Sequence, residues 1–143
     1  MILTGTYERN LDAKGRLSLP AAVRDELSSH VYVLPAPDVE ALYVFSSDEY
    51  EKWVMGLFDK RGGFDPRKRE DQALMRKINS MATPMDIDSA SRIGLTEALR
   101  EKKHLTREVT VVGNFDHLEI WDRAVWGQTQ QADDDDLADL FYS

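Results

Sequence analysis

The chain contains one design twice. Leu11-Asp12-Ala13-Lys14-Gly15-Arg16-Leu17-Ser18-Leu19-Pro20 returns, without a gap, 76 positions later as Ile87-Asp88-Ser89-Ala90-Ser91-Arg92-Ile93-Gly94-Leu95-Thr96. In both copies an acid and an arginine four residues apart bracket a short polar turn, and apolar residues alternate beyond it. The register runs on, placing Ala22 and Arg24 over Ala98 and Arg100, and Leu42 and Phe45 over Leu118 and Trp121. A duplication of this kind restricts the fold to two like units sharing a core. Copies of ~60 to 75 residues are marginal alone and steadier when packed together.

Each copy reads as strand, turn, strand, short helix and two more strands, an α+β composition. Residues 6 to 11 and 16 to 19 alternate well enough to be strands, and Gly15 offers the positive φ of a tight loop, so the first motif is expected to be a hairpin with its tip at Asp12 to Gly15. Pro20 suits the first turn of a helix with Ala22, Val23 and Leu27 on one side. Residues 31 to 34 and 41 to 45 are β-branched and aromatic runs. Ser46 and Glu49 form a capping-box pattern before Tyr50, Trp53, Val54, Leu57 and Phe58, whose spacing predicts an amphipathic helix. Gly62-Gly63 breaks it, and Asp65-Pro66 opens a second helix with Leu74, Met75, Ile78 and Met81 on one face. In the second copy Thr96 is an N-cap and Asp122 caps a final helix. The expected organisation is a first repeat with its helix over residues 1–58, a helical arm over 59–81, a second repeat over 82–131 and an acidic, frayed tail over 132–143.

A net charge of −8 argues against nucleic acid at first sight, because phosphate binding is driven by basic surface. The distribution weakens that objection. Five aspartates between 133 and 139 stand without a base, so the rest of the chain carries −3, while residues 60 to 77 hold seven bases against three acids. Local sign governs attraction more than the total. No apolar run approaches the ~20 residues that span a bilayer, and a cytoplasmic location is expected. With no cysteine and with His30, His104 and His117 dispersed, neither a disulfide framework nor a metal site is expected. Phosphate-cradling loops, nucleophile elbows and dinucleotide fingerprints are all missing, so neither enzyme chemistry nor a cofactor is expected.

The tandem Asp-x-x-x-Arg repeats with Gly15-Arg16-Leu17, together with Val112-Gly113-Asn114-Phe115-Asp116-His117-Leu118-Glu119-Ile120-Trp121-Asp122, resemble the MraZ family of bacterial transcriptional regulators over roughly residues 1 to 126. The first motif alone is shared with AbrB-like swapped-hairpin barrels; two copies, the arm and the second-half signature together make the match specific. The resemblance implies a pseudo-twofold barrel built from the two repeats, assembled as a homo-oligomeric ring and binding double-stranded DNA at short promoter repeats of the division and cell-wall gene cluster. One departure is plain: Ser91 and Ala90 stand where the family usually has a glycine and a basic residue.

For the residues themselves, two readings stand side by side. Arg16 carries a planar fork that matches phosphate oxygens or the O6/N7 edge of guanine, and it can equally pair with Asp12 across the turn. Lys14 is a phosphate contact or a solvated lysine, and Arg9 extends the basic surface or belongs to an ordinary charged edge. Arg92 has its own acid, Asp88, but no neighbouring lysine, so the second turn is expected to be the weaker contact. Asp12, Gly15 and Asp88 are expected to shape the turns. Arg24 and Arg100 read as structural ion-pairing residues, and the basic run at 60 to 77 either as a face that tracks DNA or as a solvated or subunit-packing one. A different class, an oligomeric protein-interaction module of the antitoxin-barrel type, is motivated by the net acidity.

Overall fold

Among the described residues eight strands and six helical segments follow one another, and the order of pairing matters more than the order in sequence. The computed structural model describes residues 1–142; Ser143, the end of the expected tail, lies outside them, as do the side chains of Gln131 and Ala132. The first repeat contributes β1 (Thr6–Asn10), β2 (Arg16–Ser18), α1 (Ala21–Arg24), β3 (His30–Pro35), β4 (Ala41–Ser46) and α2 (Ser47–Gly56). A 3-10 turn (Asp59–Arg61) and α3 (Arg69–Met81) form the arm. The second repeat follows with β5 (Thr83–Asp86), β6 (Arg92–Gly94), α4 (Glu97–Lys102), β7 (Glu108–Asn114), β8 (His117–Asp122) and α5 (Arg123–Tyr142).

All strand pairings are antiparallel. Six strands form one sheet in the order β1-β7-β8-β4-β3-β5, and β2 pairs with β6 in a separate ladder. Shifting residues by 76 turns that order into its own reverse, so the repeats are related by a pseudo-twofold axis between β4 and β8. Tyr43 faces Glu119, and Leu17 faces Ile93, each pair being equivalent positions. The sheet remains open, with β1 and β5 at its edges. The expected local hairpin is not made. β1 pairs with β7 and β2 with β6, so each arm of the first motif bonds to the other repeat. The turn itself still closes, through Asp12 N–H to the Arg16 carbonyl (3.1 Å) and Gly15 N–H to the Asp12 carbonyl (3.0 Å).

The pleat explains the two cores. Val31, Val33, Leu42, Val44, Leu118 and Ile120 face one side, where Leu17 and Ile93 of the short ladder and Val23 and Leu99 of α1 and α4 pack on them. Leu34, Tyr43 and Phe45 face the other, under Tyr50 and Val54 of α2 and Met75 and Ile78 of α3. β4 is buried at every position because both of its faces are covered, which is why it reads as one apolar run.

Several local expectations change. Ala22 is exposed and α1 is a single turn, with Val23 and Leu27 buried. Ser46 occupies the N-cap of α2 without capping it; its hydroxyl accepts from Ser28 N–H instead (3.2 Å). Leu74 is turned outward and α3 packs through Met75 and Ile78. Thr96 and Asp122 cap as expected, accepting from Leu99 N–H (3.2 Å) and Val125 N–H (3.1 Å). The acidic run does not fray from the helix: α5 continues through it to Tyr142. No helix of the described residues is long and apolar enough to cross a membrane.

Candidate nucleic-acid interface

Both polar turns are built by one carboxylate each. Asp12 Oδ1 accepts from Lys14 N–H and Arg16 N–H, both at 2.9 Å, while Oδ2 takes the Arg16 Nε–H. Asp88 repeats the arrangement with Ala90 N–H and Arg92 N–H at 2.9 Å and Arg92 Nε–H at 3.0 Å. A side-chain acceptor that reaches its own backbone two residues on is what makes aspartate favourable in such turns. The hydrogen bond from the Arg16 backbone, reinforced by the Arg16 side chain, holds the Asp12 carboxyl down to about 2. The Arg92 backbone N–H does the same for Asp88, lowering it against its own desolvation. Both acids are therefore ionised at neutral pH, and each pins its arginine through Nε alone. The terminal guanidinium nitrogens of Arg16 and Arg92 make no hydrogen bond among the described residues.

The ladder then brings the two arginines together. Arg16 stands opposite Gly94 and Arg92 opposite Ser18, which makes them diagonal neighbours, with Cα atoms roughly 7 to 8 Å apart in such a pair. Leu17 and Ile93 between them are buried against the sheet, so by alternation Arg16 and Arg92 share the outward face. This neighbourhood is invisible in the sequence because it needs strands 76 residues apart. Lys14 projects from the exposed tip, its side chain without a partner among the described residues. Arg9 lies apart on β1, half-buried, donating to the Glu8 carbonyl (2.8 Å) and lying 5.8 Å from the centre of the Tyr7 ring.

The turns differ at one position. Gly15 has φ 77° and Ser91 has φ 60°, so the second turn keeps the left-handed geometry in spite of its side chain. A Cβ on Gly15 would stand 2.7 Å from Arg100 Nε and 2.7 Å from the Leu95 carbonyl oxygen. Glycine thus leaves room for Arg100, which donates to that carbonyl at 3.1 Å. Its counterpart Arg24 donates instead to the Leu27 carbonyl (3.3 Å). Within the basic run of the arm, Arg61 is taken by Glu70 and the buried Asp71, and Arg67 by Asp65.

A second polar cluster gathers residues of the 112–122 signature that the sequence offered only as a family match. His117, 9% exposed on β8, is bonded through Nδ1 to Asp116 (2.7 Å) and through Nε2 to Glu119 (2.9 Å); Asn114 and Trp121 also donate to Glu119. Burial pulls the imidazole down, yet its bonds to Glu119 and Asp116 outweigh that and raise it above its usual value. Its ring lies against Tyr43, 4.4 Å between centres, beneath the face that α2 and α3 cover.

Comparison with known proteins decides the kinship. The family described as "MraZ protein, putative antitoxin-like" matches residues 2–70 and 78–140. The chain belongs to the MraZ family. Proteins named transcriptional regulator MraZ are similar along most of its length. That of Spiroplasma kunkelii is 35% identical over 88% of this chain and 85% of its own, and that of Mycobacterium ulcerans 35% over 96% and 98%. The Mycolicibacterium smegmatis relative is 34% identical over 94% of this chain and 90% of its own. The two matched segments of the family fall on the two repeats.

Proposed function

We propose that the chain is a sequence-specific DNA-binding transcriptional regulator rather than an enzyme. It reads the duplex with the outward face of the β2–β6 ladder. The observation that carries this is the pair of pinned arginines. Each is held by its aspartate through Nε while its terminal nitrogens, the fork that matches guanine O6/N7 or a phosphate, have no partner among the described residues. Arg16 makes the leading base contact, Lys14 adds a phosphate contact, Arg92 contributes from the adjoining strand and Arg9 supports the flank. The exchanged pairing and palindromic sheet support an AbrB-like swapped-hairpin barrel, with the short ladder closing one side. In the same proposal the chains assemble as a homo-oligomeric ring. Several ladders then meet successive promoter repeats, in the division and cell-wall gene cluster, and avidity compensates for few contacts per chain. The naming of the relatives supports the regulatory role and, with it, a cytoplasmic, nucleoid-associated location.

Gel shift on a promoter fragment tests the reading. Arg16→Ala is expected to abolish the sequence-specific part of binding, weakening retention of the promoter fragment severely, with the oligomer intact by light scattering; undiminished binding sinks the assignment. If the bound assembly neutralises about six phosphates, log K falls against log salt with a slope near −5. A slope near zero speaks against it. A second reading, a protein-interaction module, is favoured by α5, where Asp133 to Asp136 are exposed beside exposed Leu137. Recovery of one stoichiometric protein partner, with no duplex retained at low salt, would favour it instead.

A further inference from the structure

Beside the first turn lies a cleft of about 440 Å³ lined by Leu11, Asp12 and Ala13 on one wall and by Arg100, Thr106 and Arg107 of the second repeat on the other. Leu11 N–H donates to the Arg107 carbonyl at 2.8 Å, which fixes the walls to each other. Arg107 is exposed, and its side chain has no hydrogen bond or ion pair among the described residues. Arg100 is held by Nε on the Leu95 carbonyl, and its terminal nitrogens have no hydrogen bond among the described residues.

The nearby acids do not neutralise these two cations. Both Asp12 oxygens are taken by the turn, Glu108 is paired with Arg123 at 3.0 Å, and Asp122 caps α5. The second turn has no such cleft chemistry. The positions equivalent to Thr106 and Arg107 are Ser28 and Ser29, as Ile87 N–H donates to the Ser29 carbonyl (2.8 Å) just as Leu11 N–H does to that of Arg107, and neither serine brings a cation. Two guanidinium groups and a hydroxyl around an open cleft match the charge and acceptor pattern of a phosphodiester.

We infer that this cleft holds a backbone phosphate of the duplex whose groove Arg16 enters, with Arg107 and Arg100 as the binding groups and Thr106 as a neutral donor. The inference rests on the DNA-binding reading above. It makes Gly15 part of the same device, because a side chain there would displace Arg100 from the cleft wall. It also makes phosphate binding a joint act of the two repeats, localised at the first turn.

The test is fluorescence anisotropy of a labelled promoter duplex and a scrambled duplex over a salt series, using the full chain and the variants Arg107→Ala, Arg107→Lys and Arg16→Ala. Arg107→Ala is expected to weaken both duplexes alike, about tenfold, to lower the salt slope by about 0.9 per bound chain, and to be largely rescued by Arg107→Lys. Arg16→Ala is expected to erase the preference between the duplexes. If Arg107→Ala leaves affinity and slope unchanged while Arg16→Ala erases the preference, the cleft is overturned and the regulator reading stands. If neither duplex binds the unmodified chain at low salt, the regulator reading falls and takes the cleft with it.

Discussion

Ser91 holds a left-handed backbone, φ 60°, in a turn whose first-repeat copy is closed by glycine. A side chain in that region costs on the order of 1 kcal/mol, and the turn tolerates it because Asp88 and the β2–β6 ladder determine the geometry from both sides. Ser91→Gly is therefore expected to stabilise the chain by roughly 0.5–1 kcal/mol, a rise of about 2–4 °C in Tm by calorimetry. An unchanged or lower Tm would show that the strain is relieved some other way. Gly15→Ala should do the opposite and lose about 2 kcal/mol or more, since the added Cβ meets both the positive φ and the Leu95 carbonyl. At this scale the sequence was informative. An acid four residues before an arginine around a glycine is local chemistry, and the Asp12–Arg16 and Asp88–Arg92 pairs follow from spacing alone. The proximity of Arg16 to Arg92, and of Arg100 to Gly15, depends on partners far along the chain and left no local signal.

Among the elements, β8 with its preceding turn carries the buried charge, and its pH behaviour can be reasoned out. His117 is raised in the folded chain, so its stabilising contribution is complete below its ordinary value of about 6.5 and is lost as pH rises through the higher folded value. Glu119 is lowered by the bonds from His117, Asn114 and Trp121 against its own burial, so its contribution is present above about 4.3 and is lost as pH falls. The pair therefore stabilises most between about pH 4.3 and 6.5. Urea midpoints are expected to decline from pH 6 to 9 in the unmodified chain. His117→Gln should cost about 3 kcal/mol at pH 6 and decline less steeply. Parallel pH profiles for the two proteins would remove His117 from this account. The same scale shows which elements were legible. Periodicity marked α2 and the all-apolar run marked β4, because each signal lies within a few residues. The hairpins were misassigned because alternation identifies a strand without naming its neighbour, and here β1 and β2 both pair across repeats. The role of His117 was not legible, because Asp116 and Glu119 adjoin it in sequence but nothing local shows that β8 buries all three against Tyr43.

At the level of the whole molecule, that exchange of strands binds the two repeats into one thermodynamic unit. Unfolding the first repeat alone would strip β7 of β1, β8 of β4, β5 of β3 and β6 of β2, leaving four rows of backbone groups unpaired. It would also open the shared core, where Val33 and Val44 pack with Val111 and Ile120. No half can leave without most of the other's hydrogen bonds and apolar contacts, so a single cooperative transition is expected although the chain is a tandem repeat. Tryptophan placement allows a direct check, since Trp53 lies on α2 of the first repeat while Trp121 and Trp126 lie on β8 and α5 of the second. Trp53→Phe leaves emission only from the second repeat, and Trp121→Phe with Trp126→Phe leaves it only from the first. In each variant the urea midpoint by fluorescence should coincide with that by far-UV circular dichroism, whatever the variant's own stability. A fluorescence midpoint that departs from the dichroism midpoint in either variant would mean that one repeat opens first, and that the exchanged strands do not couple the halves.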